Sequence, residues 1–102
     1  MKLTWSAFAL SDRDAIFTYI EADNPAAAVL IDERIESAAR RLLDFPASGR
    51  VGRIAGTREL VINGTPYIAA YAITETAVRI LRVSWRAGMA RISAAKVMTA
   101  LA

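Results

Sequence analysis

Nearly continuous apolar runs in the second half of the chain predict three β-strands. Residues 56–62, 67–73 and 77–83 are rich in β-branched, aromatic and aliphatic side chains. Connectors of three or four residues, which carry Asn-Gly, Pro or polar residues, separate the runs. Links this short join only antiparallel neighbours, so we predict a three-stranded antiparallel meander. One face of such a sheet needs cover from another part of the chain.

Apolar residues at helical spacing in the first half predict that cover. Residues 6–22 indicate a first helix, with Asp12 and Arg13 on its solvent side. Its predicted apolar side carries Phe8, Ala15, Ile16, Tyr19 and Ile20. Asn24 and Pro25 end this helix and begin a second that runs to about Asp44, because Asn is a favoured N-cap and Pro a favoured first helical residue. The apolar stripe of the second helix consists of Ala28, Ile31, Ile35, Ala38 and Leu42.

The order of these elements predicts an α+β fold in two layers. The alternating run at residues 2–5 indicates a short N-terminal strand at the edge of the meander, and Ser93 is suited to cap a short C-terminal helix. At 102 residues the chain is large enough for one core, so we predict a single domain over residues 1–102. Between the helical hairpin and the meander, residues 50–56 are predicted as a loop, and together with Gly49 before it this stretch carries three glycines and two arginines.

The chain contains no cysteine and no histidine. Their absence excludes disulfides and thiolate chemistry, and it removes the ligands of most transition-metal sites and the commonest general base. We therefore expect no metal and no cofactor. Because the first ten residues lack the features of a signal peptide and no apolar run reaches membrane-spanning length, we expect a cytoplasmic protein without a membrane partner.

The net charge of +3 is unevenly distributed. Residues 1–48 carry five bases and eight acids, whereas residues 49–102 carry eight bases, seven of them arginine, and two acids. Planar guanidinium groups suit phosphate and carboxylate partners better than the point charge of lysine does. The imbalance is consistent with a polyanionic partner, either nucleic acid or an acidic protein segment, and equally with a basic surface that binds no ligand.

Four short motifs follow one another across the second half of the chain. They are Gly49-Arg50-x-Gly52, Gly56-Thr57-Arg58-Glu59-Leu60-Val61, Pro66-Tyr67-Ile68-x-x-Tyr71 and Ile80-Leu81-Arg82-Val83. In this order, and behind a helical hairpin, they resemble the RelE/ParE superfamily of bacterial toxins. The resemblance implies a small cytoplasmic toxin of a type II toxin–antitoxin module, of the kind that serves plasmid stabilisation.

The resemblance also implies partners. A cognate antitoxin would wrap the toxin surface and neutralise it, in a heteromer or beside a toxin homodimer. Some members of the superfamily cleave mRNA on the ribosome, and others inhibit DNA gyrase without being enzymes. A third reading is a non-toxic module that only binds the antitoxin.

The resemblance covers residues 1–83 and stops there. Family members usually continue after Leu-Arg-Val into Leu-His-Gly-Ala-Arg or Gln and then Trp-Pro, whereas this chain continues as Ser-Trp-Arg-Ala-Gly. Codons for His-Gly-Ala-Gln-Glu-Trp-Pro-Glu-Ser, written CAT GGC GCG CAG GAA TGG CCC GAA TCT and read from their third base, encode Trp-Arg-Ala-Gly-Met-Ala-Arg-Ile. That peptide is the sequence of residues 85–92. We therefore predict that the atypical tail, residues 84–102, arose by a frameshift and attenuates the toxin.

A ribosome-dependent nuclease of this superfamily needs several basic groups on one face of the sheet, where they neutralise the charge that develops on the phosphate. The catalytic candidates are Arg58, Arg79 and Arg82. Arg79 and Arg82 are an odd number of residues apart, so a regular strand would direct them to opposite faces. Arg58 beside Glu59 is predicted as a structural ion pair or a charge at the sheet edge. The predicted middle strand carries no base, so the nuclease cluster is depleted.

Gyrase inhibition fits this depletion better, because binding a protein needs a surface rather than a catalytic cluster. The residues predicted to bind the target or the antitoxin are Arg50, Arg53, Tyr67, Tyr71 and Arg86. Arg50 and Arg53 are also consistent with an ordinary solvated loop. Tyr67 and Tyr71 are four residues apart on one strand and share a face, and for them packing with hydrogen-bonded hydroxyls is the alternative to binding.

Overall fold

The computed structural model describes residues 1–86. A strand, β1 (Lys2–Trp5), precedes two helices, α1 (Ala7–Glu21) and α2 (Pro25–Arg41), which are followed by a 3₁₀ helix (Pro46–Ser48). The four further strands are β2 (Arg50–Val51), β3 (Arg58–Val61), β4 (Tyr67–Ile73) and β5 (Ala77–Trp85). The C-terminal helix predicted from Ser93, and all of the atypical tail after Arg86, lie outside the described residues.

The five strands form one mixed sheet in the order β1-β5-β4-β3-β2. The predicted meander is confirmed, because β3, β4 and β5 pair antiparallel through short turns. The predicted edge strand is also confirmed, and β1 pairs in parallel with β5. The prediction of a loop at residues 50–56 is wrong at its start, since Arg50 and Val51 pair with β3 and form β2 at the other edge.

Each helix begins at a capping side chain. The Ser6 hydroxyl accepts a hydrogen bond from the Ala9 amide at 2.9 Å, and the Asn24 side chain accepts one from the Ala27 amide at 3.1 Å. These bonds satisfy amide groups that the first helical turn would otherwise leave unpaired. The start predicted for the second helix is therefore confirmed, although the helix ends at Arg41, before the predicted boundary.

The predicted buried face of α1 is wrong in part. Phe8 is 70% exposed, whereas Ala9 beside it is fully buried. The rotation of the helix is set at its start, where the Ser6 amide donates to the Ile80 carbonyl oxygen of β5 at 2.9 Å. That anchor turns Ala9 inward and Phe8 outward. Two other side chains of the predicted apolar face are exposed as well, Ala15 and Tyr19.

Arg13, predicted on the solvent side of α1, lies between the helix and its neighbours. Its guanidinium stands 4.6 Å from the centre of the Trp5 ring. Its Nε and Nη2 atoms donate to the Asp32 carboxylate on α2 at 3.0 and 2.9 Å. With a side chain only 17% exposed, Arg13 ties α1 to both α2 and the end of β1.

The core lies between the two helices and one face of the sheet. Most of the predicted stripe of α2 is confirmed, because all of its members except the partly buried Ala38 are buried. From the sheet, Tyr67, Ala69 and Tyr71 of β4 and Val83 of β5 join the same cluster. Within residues 1–86, neither helix is long and apolar enough to cross a membrane.

Candidate binding surface on the sheet

A β-bulge in β5 brings two of the candidate arginines to one face of the sheet. The register shifts at Leu81, so that Arg82 lies opposite Ala70 while Arg79 lies opposite Ala72. Ala70 and Ala72 are two residues apart in one strand and therefore share a face. The expectation that Arg79 and Arg82 point to opposite faces is wrong, because the extra residue of the bulge reverses the alternation.

This face is the side of the sheet away from the helical core. Arg50, Glu59, Ala70 and Arg82 are paired in register across β2, β3, β4 and β5. We call the surface that carries Glu59, Arg50, Arg53 and Arg79, with Arg82 at the edge next to α1, the basic face. Small alanines of β4 separate the arginines of β5 from those near β2.

Glu59 is the acidic centre of the basic face. Its carboxylate accepts hydrogen bonds from Arg50 Nη2 at 3.1 Å, from Arg53 Nε at 3.3 Å and from the Arg53 amide at 3.4 Å. Burial of the carboxyl favours a raised pKa, but the hydrogen bonds and charges of the two arginines prevail and hold the pKa of Glu59 below its ordinary value of 4.5. An ion pair with Arg58 does not form, since neighbouring residues of a strand face opposite sides.

Arg82 is held by Asp12 of α1. Its Nε and Nη2 atoms donate to the two carboxylate oxygens at 2.8 and 3.0 Å, and the Val83 amide donates to the same carboxylate at 2.9 Å. Partial burial favours a raised pKa of Asp12, yet these hydrogen bonds and the guanidinium charge lower the pKa below its ordinary value of 3.8. The same pair raises the pKa of Arg82. The exposed Phe8 ring lies 5.7 Å from this guanidinium.

Arg79 and Arg86 differ from Arg82 in having no carboxylate partner among the described residues. Both are exposed, and neither forms an ion pair with another side chain among residues 1–86. The Arg86 amide donates to the Pro66 carbonyl oxygen at 2.9 Å, which extends the pairing of β4 and β5 by one bond. Of the four arginines of the basic face, Arg79 is thus the one that carries its charge without a carboxylate in this part of the chain.

Arg58 and Tyr71 both hold the segment that precedes β2. Arg58 Nη1 donates to the Gly49 carbonyl oxygen at 2.8 Å. The Tyr71 hydroxyl donates to the Pro46 carbonyl oxygen at 2.6 Å and accepts from the Gly49 amide at 3.0 Å. A Cβ on Gly49 would lie only 2.6 Å from that hydroxyl oxygen, so the close approach requires glycine.

Both predicted binding tyrosines are inaccessible in this structure. Tyr71 is fully buried and Tyr67 is 1% exposed. The Tyr67 ring packs against the Trp85 ring with centroids 5.0 Å apart and planes tilted by 41°. The packing alternative accounts for both placements, and a role for either ring in binding a partner stays a prediction.

The basic face is better arranged for holding a partner than for breaking a bond. Its central carboxylate is occupied by two arginines, and Arg82 is occupied by Asp12. Phosphate cleavage is favoured by cations that are aimed at the charge developing on the reacting group. The sequence did not predict Asp12 as the partner of Arg82, because the two residues are far apart in the chain. Glu59 lies in one of the four motifs, but the motif does not show that Arg50 and Arg53 bind it.

A groove of about 530 Å³ lies between α2 and β3. We call it the α2–β3 groove. Arg34 lines it, and the buried Nε atom of Arg34 has no hydrogen-bond acceptor among the described residues. This groove was not predicted, because in the sequence Arg34 is one of several charged residues of the second helix. The other principal lining residues are Leu30, Ala38, Arg41, Phe45, Leu60 and Val61.

Comparison with known proteins relates this fold and these motifs to toxins. The sequence matches the family described as ParE toxin of type II toxin–antitoxin system, parDE, over residues 3–88. It is 47% identical over 73 residues to "Putative toxin Y4kP" of Sinorhizobium fredii, which covers 72% of this chain and 76% of that protein. It is 35% identical over 82 residues to "Toxin RelE2" of Caulobacter vibrioides, and this match covers 80% of this chain and 91% of that protein.

Two solved structures have a similar fold. A chain of the "Chromosomal ParDE TA system from P. aeruginosa" superposes with a TM-score of 0.77 at 25% identity, over 83% of this chain and 95% of that one. The "YoeB/ParE toxin from Agrobacterium tumefaciens" superposes with a TM-score of 0.59 at 17% identity, over 84% of this chain and 99% of that one. At that lower identity the second likeness concerns the fold alone.

Proposed function

The chain belongs to the ParE toxin family of type II toxin–antitoxin systems, and we propose that it acts by binding and inhibiting DNA gyrase. The family implies an antitoxin as partner. The observation that carries the choice of gyrase is that two carboxylates engage three of the four arginines of the basic face. Glu59 engages Arg50 and Arg53, and Asp12 engages Arg82.

The engagement of these arginines by carboxylates opposes nuclease chemistry for a physical reason. A phosphate that develops charge during attack by a 2′-hydroxyl is stabilised by cations already aimed at it. Freeing Arg82 or Arg50 for that task would leave a carboxylate unpaired at the same site, where its charge would repel the phosphate. A protein partner can bind while these ion pairs stay intact, because a paired arginine still presents N–H donors and its apolar stem at an interface.

The alternative is a ribosome-dependent mRNA endonuclease, and one observation favours it. The bulge in β5 places Arg79 and Arg82 on the same face, as a cluster of cations would need. A further alternative is a module that binds antitoxin and poisons nothing, and the atypical tail favours it. We propose that the tail attenuates toxicity, and that the protein acts in the cytoplasm, where gyrase and ribosomes are found, in a module that serves plasmid stabilisation.

Two parallel assays with the purified chain separate these functions. We expect inhibition of gyrase-catalysed DNA supercoiling, and intact mRNA in a translating extract. Arg79→Glu should weaken gyrase inhibition, whereas Arg40→Glu, at an exposed position of α2, should not. Cleaved mRNA with unaffected supercoiling would support the endonuclease instead, and no effect in either assay would support the antitoxin-binding module.

A further inference from the structure

The turn that joins β2 to β3 presents two large apolar side chains to solvent. Val51 is 80% exposed and Ile54 is 73% exposed, more than any other large apolar residue of residues 1–86. We call this segment, residues 51–57, the β2–β3 turn. A single exposed apolar side chain is ordinary on a protein surface, whereas neighbouring ones on a fixed support indicate a contact site.

The backbone of the β2–β3 turn is held by its own hydrogen bonds. The Gly52 amide donates to the Thr57 carbonyl oxygen at 2.8 Å, and the Thr57 amide donates to the Ile54 carbonyl oxygen at 3.1 Å. The Thr57 hydroxyl donates to the same Ile54 oxygen at 2.6 Å. The backbone at Ile54 is therefore fixed, although its side chain is exposed.

Two glycines specify this conformation. Gly56 has a φ of +82°, in the left-handed region that favours glycine. A Cβ on Gly52 would collide with the side chain of Thr57. Because the turn is already ordered in the free chain, a partner that binds it does not have to order it, and less binding energy is lost.

Charged groups border the apolar side chains of the turn. The Glu59 carboxylate accepts from the Arg53 amide at 3.4 Å, from Arg53 Nε at 3.3 Å and from Arg50 Nη2 at 3.1 Å. The side chains of Arg50 and Arg53 are nevertheless 60% and 65% exposed. Two guanidinium charges beside one carboxylate leave this border net positive, and it is continuous with the rest of the basic face.

We infer that the β2–β3 turn anchors the interface with gyrase, and that Ile54 and Val51 contact an apolar recess of the enzyme that carboxylates surround. This inference rests on the proposed function, which supplies the partner. Burial of the two side chains removes apolar surface from water. A guanidinium carries several N–H donors, so Arg50 and Arg53 can bond to carboxylates of the partner while they stay bonded to Glu59.

Two other occupants fit the turn less well. A nucleic acid would bring phosphates towards the Glu59 carboxylate, and its charged backbone would leave Ile54 without an apolar partner. A second copy of this chain, related by a two-fold axis at the turn, would place the same positive border against itself, since such an interface pairs identical surfaces. An acidic protein surface with an apolar recess matches both the charge and the side chains of the turn.

Substitutions of Ile54 test the anchor, with the dissociation constant for purified gyrase as the measurement. Ile54→Ser should raise this constant about ten- to a hundredfold, as the loss of a buried isoleucine side chain would. Ile54→Asp should raise it further than Ile54→Lys does, because only the aspartate repels the surrounding carboxylates. Equal effects of Ile54→Asp and Ile54→Lys would overturn the acidic character assigned to the recess.

Leu10 supplies the matched control. It is a large apolar residue, 52% exposed, on α1, and Leu10→Ser, Leu10→Asp and Leu10→Lys should leave gyrase binding unchanged. All the variants should bind antitoxin, the product of the neighbouring open reading frame that relieves growth arrest, as the parent chain does. Ile54 variants that lose antitoxin and keep gyrase would overturn the inference. Urea unfolding establishes that each variant is folded.

A thiol at the turn gives a second readout. The chain has no cysteine, so Ile54→Cys introduces a single thiol, and its alkylation by a maleimide is followed by the mass of the chain. Gyrase should slow this alkylation and should leave that of Leu10→Cys unchanged. Slowing by DNA alone would assign the turn to nucleic acid, and slowing that grows with the chain's own concentration would assign it to a second copy. Either result would overturn the inference.

The inference fails separately from the proposed function. If gyrase binds the parent chain and all the Ile54 variants equally, and leaves the introduced thiol reactive, the turn is not the anchor while gyrase remains the target. If gyrase does not bind the parent chain, the proposed function fails and the inference fails with it.

Discussion

At the scale of single residues, two carboxylates engage three of the four arginines of the basic face. Asp12 of α1 holds Arg82 of β5, although seventy residues separate them in the chain. Glu59 holds Arg50 and Arg53, and this pairing depends on β2, which two residues form. These contacts determine which guanidinium groups carry a charge without a carboxylate beside them.

Tyr71 offers a direct test at this scale. Tyr71→Phe keeps the buried ring and removes the hydroxyl that bonds to Pro46 and Gly49. Because a buried amide and a carbonyl lose their partner, we expect the free energy of unfolding to fall by about 1–3 kcal/mol. Urea unfolding measures the loss, and the Gly49 amide should exchange faster. An unchanged urea midpoint together with a protected Gly49 amide would contradict this account of the segment before β2.

At the scale of secondary-structure elements, the sequence was most informative where local chemistry is strong. Asn24-Pro25, the short connectors and the apolar stripe of α2 each specify an element by themselves. The rotation of α1 was not predictable, because a hydrogen bond from Ser6 to β5 sets it. The bulge at Leu81 was not predictable either, since it depends on matching β5 against β4, and it reverses the conclusion about Arg79 and Arg82.

The cap of α2 can be tested in isolation. Asn24→Ala removes the oxygen that accepts from the Ala27 amide, and we expect a loss of about 1 kcal/mol in the free energy of unfolding. Asn24→Asp keeps an acceptor and adds a negative charge near the positive end of the helix dipole, so it should be close to neutral. Chemical denaturation of the three proteins measures both effects. Equal losses for the two variants would mean that the side chain does not act as a cap.

At the scale of the whole molecule, two carboxylates fasten separate parts of the fold. Asp12 joins α1 to β5, and Glu59 joins β3 to the arginines at β2. Both have a pKa below the ordinary value in the folded state. A carboxyl of this kind binds protons more readily in the unfolded chain, so its contribution is complete above the ordinary pKa and is lost as the pH falls through the folded-state pKa.

We therefore expect stability to be insensitive to these two groups near neutral pH and to decline as the pH falls below the ordinary values of 4.5 for Glu59 and 3.8 for Asp12. Urea midpoints measured from neutral pH down through this range test the expectation. Glu59→Gln should be less stable at neutral pH and should show a shallower acid decline. The exposed Glu75→Gln should follow the parent protein, and a parent whose stability rose on acidification would contradict the assignment.

The claim that this chain is a toxin restrained by an antitoxin is tested most directly by growth of a bacterial culture after induced expression. The comparison needs the chain as it stands, a version whose ending after Val83 is restored to the family form, and each of these with the neighbouring open reading frame co-expressed. We expect the restored version to arrest growth, the present chain to slow it less, and co-expression to relieve both. Undisturbed growth with both versions, or an arrest that the neighbouring product does not relieve, would contradict the account.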